Sequence, residues 1–160
     1  MNSILIPVSL RDTSVALVEH AAPVAAAFGG TVWLLHIFRT ASFLATNRVP
    51  PELKEQRDRE LAEIHRGLDE LAALLTVHGL KVNPYVLNGQ DPADLILEQA
   101  EAVQADLVVM GSHGRGALLE TLLGDVAHDV LRKARCPVLV IPYALLKTAE
   151  DAAEDGEKRG

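Results

Sequence analysis

Three glycines follow an apolar run in the spacing Gly111-x2-Gly114-x9-Gly124, after Asp106-Leu107-Val108-Val109-Met110. A short apolar run bounded in this way reads as a buried parallel strand, and a glycine-rich turn at its carboxyl end brings backbone N–H groups close to an anion. Gly111 and Gly114 lack the Cβ atom that would hold phosphate or ribose off the backbone, and both tolerate positive φ where the chain leaves the strand sharply. Gly124 opens a second turn into a helix, in which Val126, Val130, Leu131 and Ala134 recur at helical spacing and Arg132, Lys133 and Arg135 gather at the far end. Those cations complement the negative pole of the helix dipole. The positive pole then lies at residues 124–126, where exposed N–H groups suit a phosphate chain. Between the turns, Arg115 is a fork donor for phosphate or a solvated charge, and His113 reaches ribose or phosphate or is a surface histidine.

Other phosphate chemistries are excluded by the letters. Gly111-x4-Gly116 imitates the start of a P-loop, but Ala117 and Leu118 stand where Lys and Ser or Thr would have to reach phosphate and Mg²⁺. A dinucleotide fingerprint belongs after the first strand, and Val8-Ser9-Leu10-Arg11-Asp12 contains no glycine. No Ser-His-Asp or paired-carboxylate arrangement can be read. The histidines at 20, 36, 65, 78 and 128 lack metal-ligand spacing and read as structural. Cys136, the single cysteine, reads as packed and forms no disulfide within the chain, which suits a cytoplasmic setting. The net charge of −7 argues against nucleic acid or an anionic membrane as the partner. No basic segment precedes a long apolar run, so neither a signal peptide nor a membrane span is expected.

The elements that must position this turn alternate between strand and helix. Residues 4–8 form a strand apolar on both faces. A helix follows, capped by Asp12, Thr13 or Ser14, with Val15, Val18, Ala22, Ala25 and Phe28 on one stripe before Gly29-Gly30. Pro23 costs about 3 kcal/mol in a helix interior, which predicts a kink or a helix in two pieces. A strand over residues 31–38 leads to a long connection, residues 39–51, with the form of a lid or a surface excursion. Leu61, Ile64, Leu68, Leu71 and Leu75 then mark a helix over residues 52–78, ended by Gly79. The next strand, residues 81–87, carries Pro84 and belongs at a sheet edge. Asp91-Pro92-Ala93-Asp94 reads as a cap, a proline at the first helical position and an acid in the first turn. The last strand is Pro137-Val138-Leu139-Val140-Ile141. Such alternation gives a three-layer α/β sandwich around a five-stranded parallel sheet, residues 1–145, followed by a flexible charged tail over residues 146–160.

Met110-Gly111-Ser112-His113-Gly114-Arg115-Gly116 and Cys136-Pro137-Val138-Leu139-Val140-Ile141-Pro142, with Ile4-Leu5-Ile6-Pro7-Val8 and Leu34-Leu35-His36-Ile37, resemble the universal stress protein family over roughly residues 2 to 142. The resemblance implies an adenine nucleotide alpha hydrolase-like fold with strand order 3-2-1-4-5. It places Pro7, Val8 and Ile37 near the base, Gly111, His113 and Gly114 near ribose and phosphate, and Gly124, Asp125 and Val126 under the phosphates. Ser9, Met110, Arg115 and Gly116 lie within the matching motifs. Two positions depart from the nucleotide-binding pattern: Ser9 replaces Asp, and Asp125 replaces Ser or Thr. A carboxylate at 125 repels phosphate unless a bridging Mg²⁺ reverses the sign, or it is simply the helix N-cap. The expected function is a dimeric stress-response protein that binds ATP or another adenine nucleotide as a signal, with slow hydrolysis at most. The alternative is a dimeric interaction module that has lost the nucleotide. The last strand, an apolar edge, is expected to pair with its symmetry mate.

Overall fold

The computed structural model describes residues 2–11, 13–39, 49–112 and 123–147, together with Glu157. Its elements are β1 (Ser3–Pro7), α1 (Thr13–Phe28), β2 (Thr31–Phe38), α2 (Pro51–Thr76), β3 (Lys81–Asn88), α3 (Pro92–Ala102), β4 (Leu107–Gly111), α4 (Asp125–Lys133), β5 (Val138–Ile141) and α5 (Tyr143–Leu146). The strands form one sheet in the order β3-β2-β1-β4-β5, with every pair parallel. This is the expected doubly covered sheet. Its topological switch falls between β1 and β4, from which the chain crosses over in opposite directions, the place where ligands of such sheets collect beyond the strand ends.

Period-two alternation within apolar strands divides the interior into two cores. Ile4, Ile6, Val8, Val32, Leu34, Leu107 and Val109 pack with α1, with Leu68, Leu71 and Leu75 of α2, and with Leu146. On the opposite face, Leu5, Leu35, Val108 and Met110 pack with Ala93, Ile96 and Ala100 of α3 and Ala127 and Val130 of α4. The amino ends of the two central strands are tied together. Ser3 N donates to Asp106 Oδ2 at 2.8 Å, and Asp106 N donates to Ser3 O at 2.8 Å. That clamp sets the stagger with which β1 and β4 reach their far ends.

Several local expectations hold. Asp91 caps α3 by accepting from Asp94 N at 3.4 Å, Pro92 takes the first turn, Gly79 adopts φ +76° beyond α2, and Pro84 sits on the edge strand β3. Others need correction. α1 is a single helix despite Pro23. Pro23 and Glu19 are both exposed, so the carbonyl that a residue at 23 would bond lies on the solvent side. The buried stripe of α1 is Ser14, Leu17, Val18, Ala21, Ala22 and Ala25, whereas Val15 and Phe28 remain 46% and 39% exposed. Small residues let this helix lie close on the sheet, and close approach decides its rotation more than side-chain size does. Asp12, most of the 39–51 connection and nearly all of the tail lie outside the described residues. Leu146, placed by the sequence at the start of the tail, is instead a core residue at 2% exposure.

Candidate functional site

The carboxyl ends of β1, β2 and β4 present different side chains to the two layers. Ile37 packs against the α3/α4 core and Met110 is buried within it. Pro7, two residues beyond Leu5, shares that face and is half-buried. Pro7 and Ile37 thus keep apolar surface at the carboxyl ends of β1 and β2, over a buried Met110. Ser9 follows as an exposed residue. Val8, expected near a bound base, has a side chain that is 6% exposed and belongs to the α1/α2 core.

His36 closes the ladder between β1 and β2. Val8 N donates to Leu35 O at 2.8 Å, and the His36 ring, with Nδ1 2.9 Å from Val8 O, donates to that carbonyl. Facing a carbonyl, Nδ1 must carry the proton, which leaves Nε2 as the acceptor of a neutral ring. Burial pushes the imidazole below its usual value of 6.5; the bond to Val8 opposes this and the Arg11 charge adds to it. His36 is thus structural in a specific way, since it holds the end of β1 against β2 where the site begins.

The end of β4 is linked directly to the turn at Gly124. Ser112 N donates to Ile141 O at 2.9 Å, while Ser112 O accepts from Gly124 N at 2.6 Å. The N–H of Gly124, expected to face an anion, is therefore already committed to Ser112. Gly124 is the N-cap of α4 (φ −70°, ψ 160°) and Asp125 is the first residue of the helix, so the reading of Asp125 as the cap is also corrected. Among the described residues no side chain caps this turn, which leaves the N–H groups of Asp125, Val126 and Ala127 as the donors at the positive pole. Arg132 and Lys133 occupy the last turn, as expected. Asp125 itself is exposed. His113, Gly114, Arg115 and Gly116 lie outside the described residues.

Gly111 has a role that composition did not reveal. A Cβ built there would stand 2.8 Å from Leu146 Cδ1, so the missing side chain makes room for α5 on the α1 side of the sheet. At the opposite end of the sheet, Cys136 lines a cavity of about 180 Å³ with Leu97, Ala100, Ala105 and Val108. Its thiol is pushed up by burial and by Asp106, which suits the packed role expected of it. Among the described residues no three His, Cys, Asp or Glu side chains gather as a metal site.

Residues 1–142 match the universal stress protein family. The chain belongs to that family. A universal stress protein of Methanocaldococcus jannaschii is 33% identical over 147 residues, covering 86% of this chain and 80% of the relative. In fold, the chain is similar to the Archaeoglobus fulgidus universal stress protein in complex with dAMP (TM-score 0.64, 24% identity, 88% and 98% coverage). It is likewise similar to a universal stress protein in complex with cAMP (TM-score 0.66, 23% identity, 88% and 95% coverage). Within this family member, sequence reasoning missed Leu146 and the donor at Ala127. The short apolar triplet Ala144-Leu145-Leu146 after Pro142 was the available signal for the first. The second needed the position of the cap.

Proposed function

We propose that this universal stress protein binds an adenine nucleotide in the crevice beyond β1 and β4, as a signal rather than for rapid turnover. The observation that carries the proposal is the first turn of α4, which no side chain among the described residues caps and which is joined through Gly124 N and Ser112 O to the end of β4. Pro7, Val8 (by its backbone), Ser9, Ile37 and Met110 take the base, and Gly111, His113, Gly114, Arg115 and Gly116 take ribose and phosphate. Gly124, Asp125 and Val126 lie under the phosphates. The dAMP and cAMP complexes of structural relatives support the adenylate class. With ATP, Asp125 reaches the phosphates through Mg²⁺. The protein acts in the cytoplasm in a stress response. No helix among the described residues is long and apolar enough to cross a membrane.

A homodimer completes the reading. β5 ends the sheet, and its Val138, Leu139 and Val140 are only half-buried within one chain. An apolar edge of this kind invites a symmetry-related strand. Light scattering after size exclusion should give twice the chain mass; a monomer at micromolar concentration sinks the dimer.

Asp125 favours a second reading, a dimeric interaction module without nucleotide. An exposed carboxylate in the first turn already complements the helix dipole in place of an anion. It also repels a phosphate about 4 Å away by roughly 1 kcal/mol in water and about 4 at an effective dielectric of 20. Mass analysis of small molecules released from the purified protein, with calorimetry of AMP and ATP with and without Mg²⁺, separates the readings. Absence of adenylate in both assays leaves the module.

A further inference from the structure

We infer that Leu146 is a positioning residue of the crevice: packed beside the space where a Cβ on Gly111 would stand, it holds the end of β4 in register with the turn at Gly124. The inference rests on the nucleotide reading for its consequence and on contacts within the chain for its geometry. Leu146 is 2% exposed and belongs to the core on the α1 side of the sheet, which also holds Val8 just beyond β1, Val109 of β4 and Ile141 at the end of β5. A Cβ at Gly111 would stand 2.8 Å from Leu146 Cδ1, so the far end of the Leu146 side chain would have to shift to admit it. Gly111 therefore answers to α5.

The order spreads from that contact. Gly111 pairs with Ile141, and the next amide, Ser112 N, is held on Ile141 O at 2.9 Å. Ser112 O in turn accepts from Gly124 N at 2.6 Å, which aims the first turn of α4. α5 itself is one turn long, closed by Leu145 N to Pro142 O at 2.9 Å and Lys147 N to Tyr143 O at 3.0 Å. One side chain at the end of a four-residue helix thus packs beside Gly111, next to the hydrogen bonds that join Ser112 to β5 and to Gly124. A binding surface made of backbone donors has no side chain of its own to correct a misaligned turn. Its precision must come from packing behind it.

The test uses the full chain as Leu146→Ala, Leu146→Val, Gly111→Ala and the double variant Gly111→Ala with Leu146→Ala, with Leu75→Ala as a control buried in the last turn of α2. Amide exchange at Ser112 and Gly124, followed by NMR, should quicken about tenfold more in Leu146→Ala than in Leu75→Ala, a gap of one decade in the opening equilibrium. Leu146→Val should lie between wild type and Leu146→Ala, and keeps the comparison open if the alanine variant does not fold. Gly111→Ala should lose about tenfold in AMP affinity, and adding Leu146→Ala should restore part of it. Equal exchange in Leu146→Ala and Leu75→Ala overturns the inference, and so does a double variant that binds AMP no better than Gly111→Ala. If wild type binds no adenylate, the nucleotide reading fails and exchange at Ser112 and Gly124 alone decides the role of Leu146.

Discussion

On the α3/α4 side of the sheet's carboxyl edge, Pro7 and Ile37 remain half-buried apolar surfaces and, among the described residues, no side chain caps the first turn of α4. On the α1/α5 side, the ring of His36 has taken the Val8 carbonyl and Leu146 has taken the space beside Gly111. Among the described residues, one side is left open and the other is closed. Closure behind the strands makes openness in front of them usable, because backbone donors hold their aim only when the strand ends carrying them cannot shift. Substitutions on the closed side should therefore register first as stability, and substitutions on the open side as affinity.

The largest effect is expected on the closed side. Leu146→Ala should cost about 2–5 kcal/mol, the range for deleting a fully buried leucine, read from urea denaturation. A loss below about 0.5 kcal/mol, the scale of surface substitutions, would place α5 outside the core and break the comparison. Next comes the open side. Asp125→Ser should raise ATP affinity about tenfold without Mg²⁺, roughly 1.4 kcal/mol, while stability moves by less than about 0.5 kcal/mol. Calorimetry decides it, and unchanged affinity would mean that the carboxylate exerts no repulsion on the phosphates. The smallest effect concerns His36. Its folded value lies below 6.5, so as pH falls through 6.5 the unfolded chain takes up the proton first and wild-type stability declines. His36→Asn should flatten that decline in denaturation curves taken above and below pH 6.5. A slope that persists in the variant assigns the acid sensitivity elsewhere.

Much of the scaffold was legible because its signals are local. Asp91 with Pro92, Gly79 after the leucine repeat, and the doubly apolar strands each constrain only their own neighbourhood, and each appears as expected. The sheet edge could be read from Pro84, whose missing N–H cannot serve a central strand. Errors arose where two segments compete for one place. α1 turned its alanines, rather than Val15 and Phe28, to the sheet, since the sheet surface selects the closer fit. Asp125 had the chemistry of a cap, but the bond from Gly124 N to Ser112 O moved the helix start by one residue.

From its letters alone, the chain established the succession of strands and helices, the glycine spacing after β4 and the charge that distinguishes position 125. Folding decided which layer each strand end faces, which backbone donors are already spent and what occupies the void beside Gly111. The reason is physical: periodicity and turn preferences act over a few residues, whereas the filling of a void depends on which distant side chain close packing brings there.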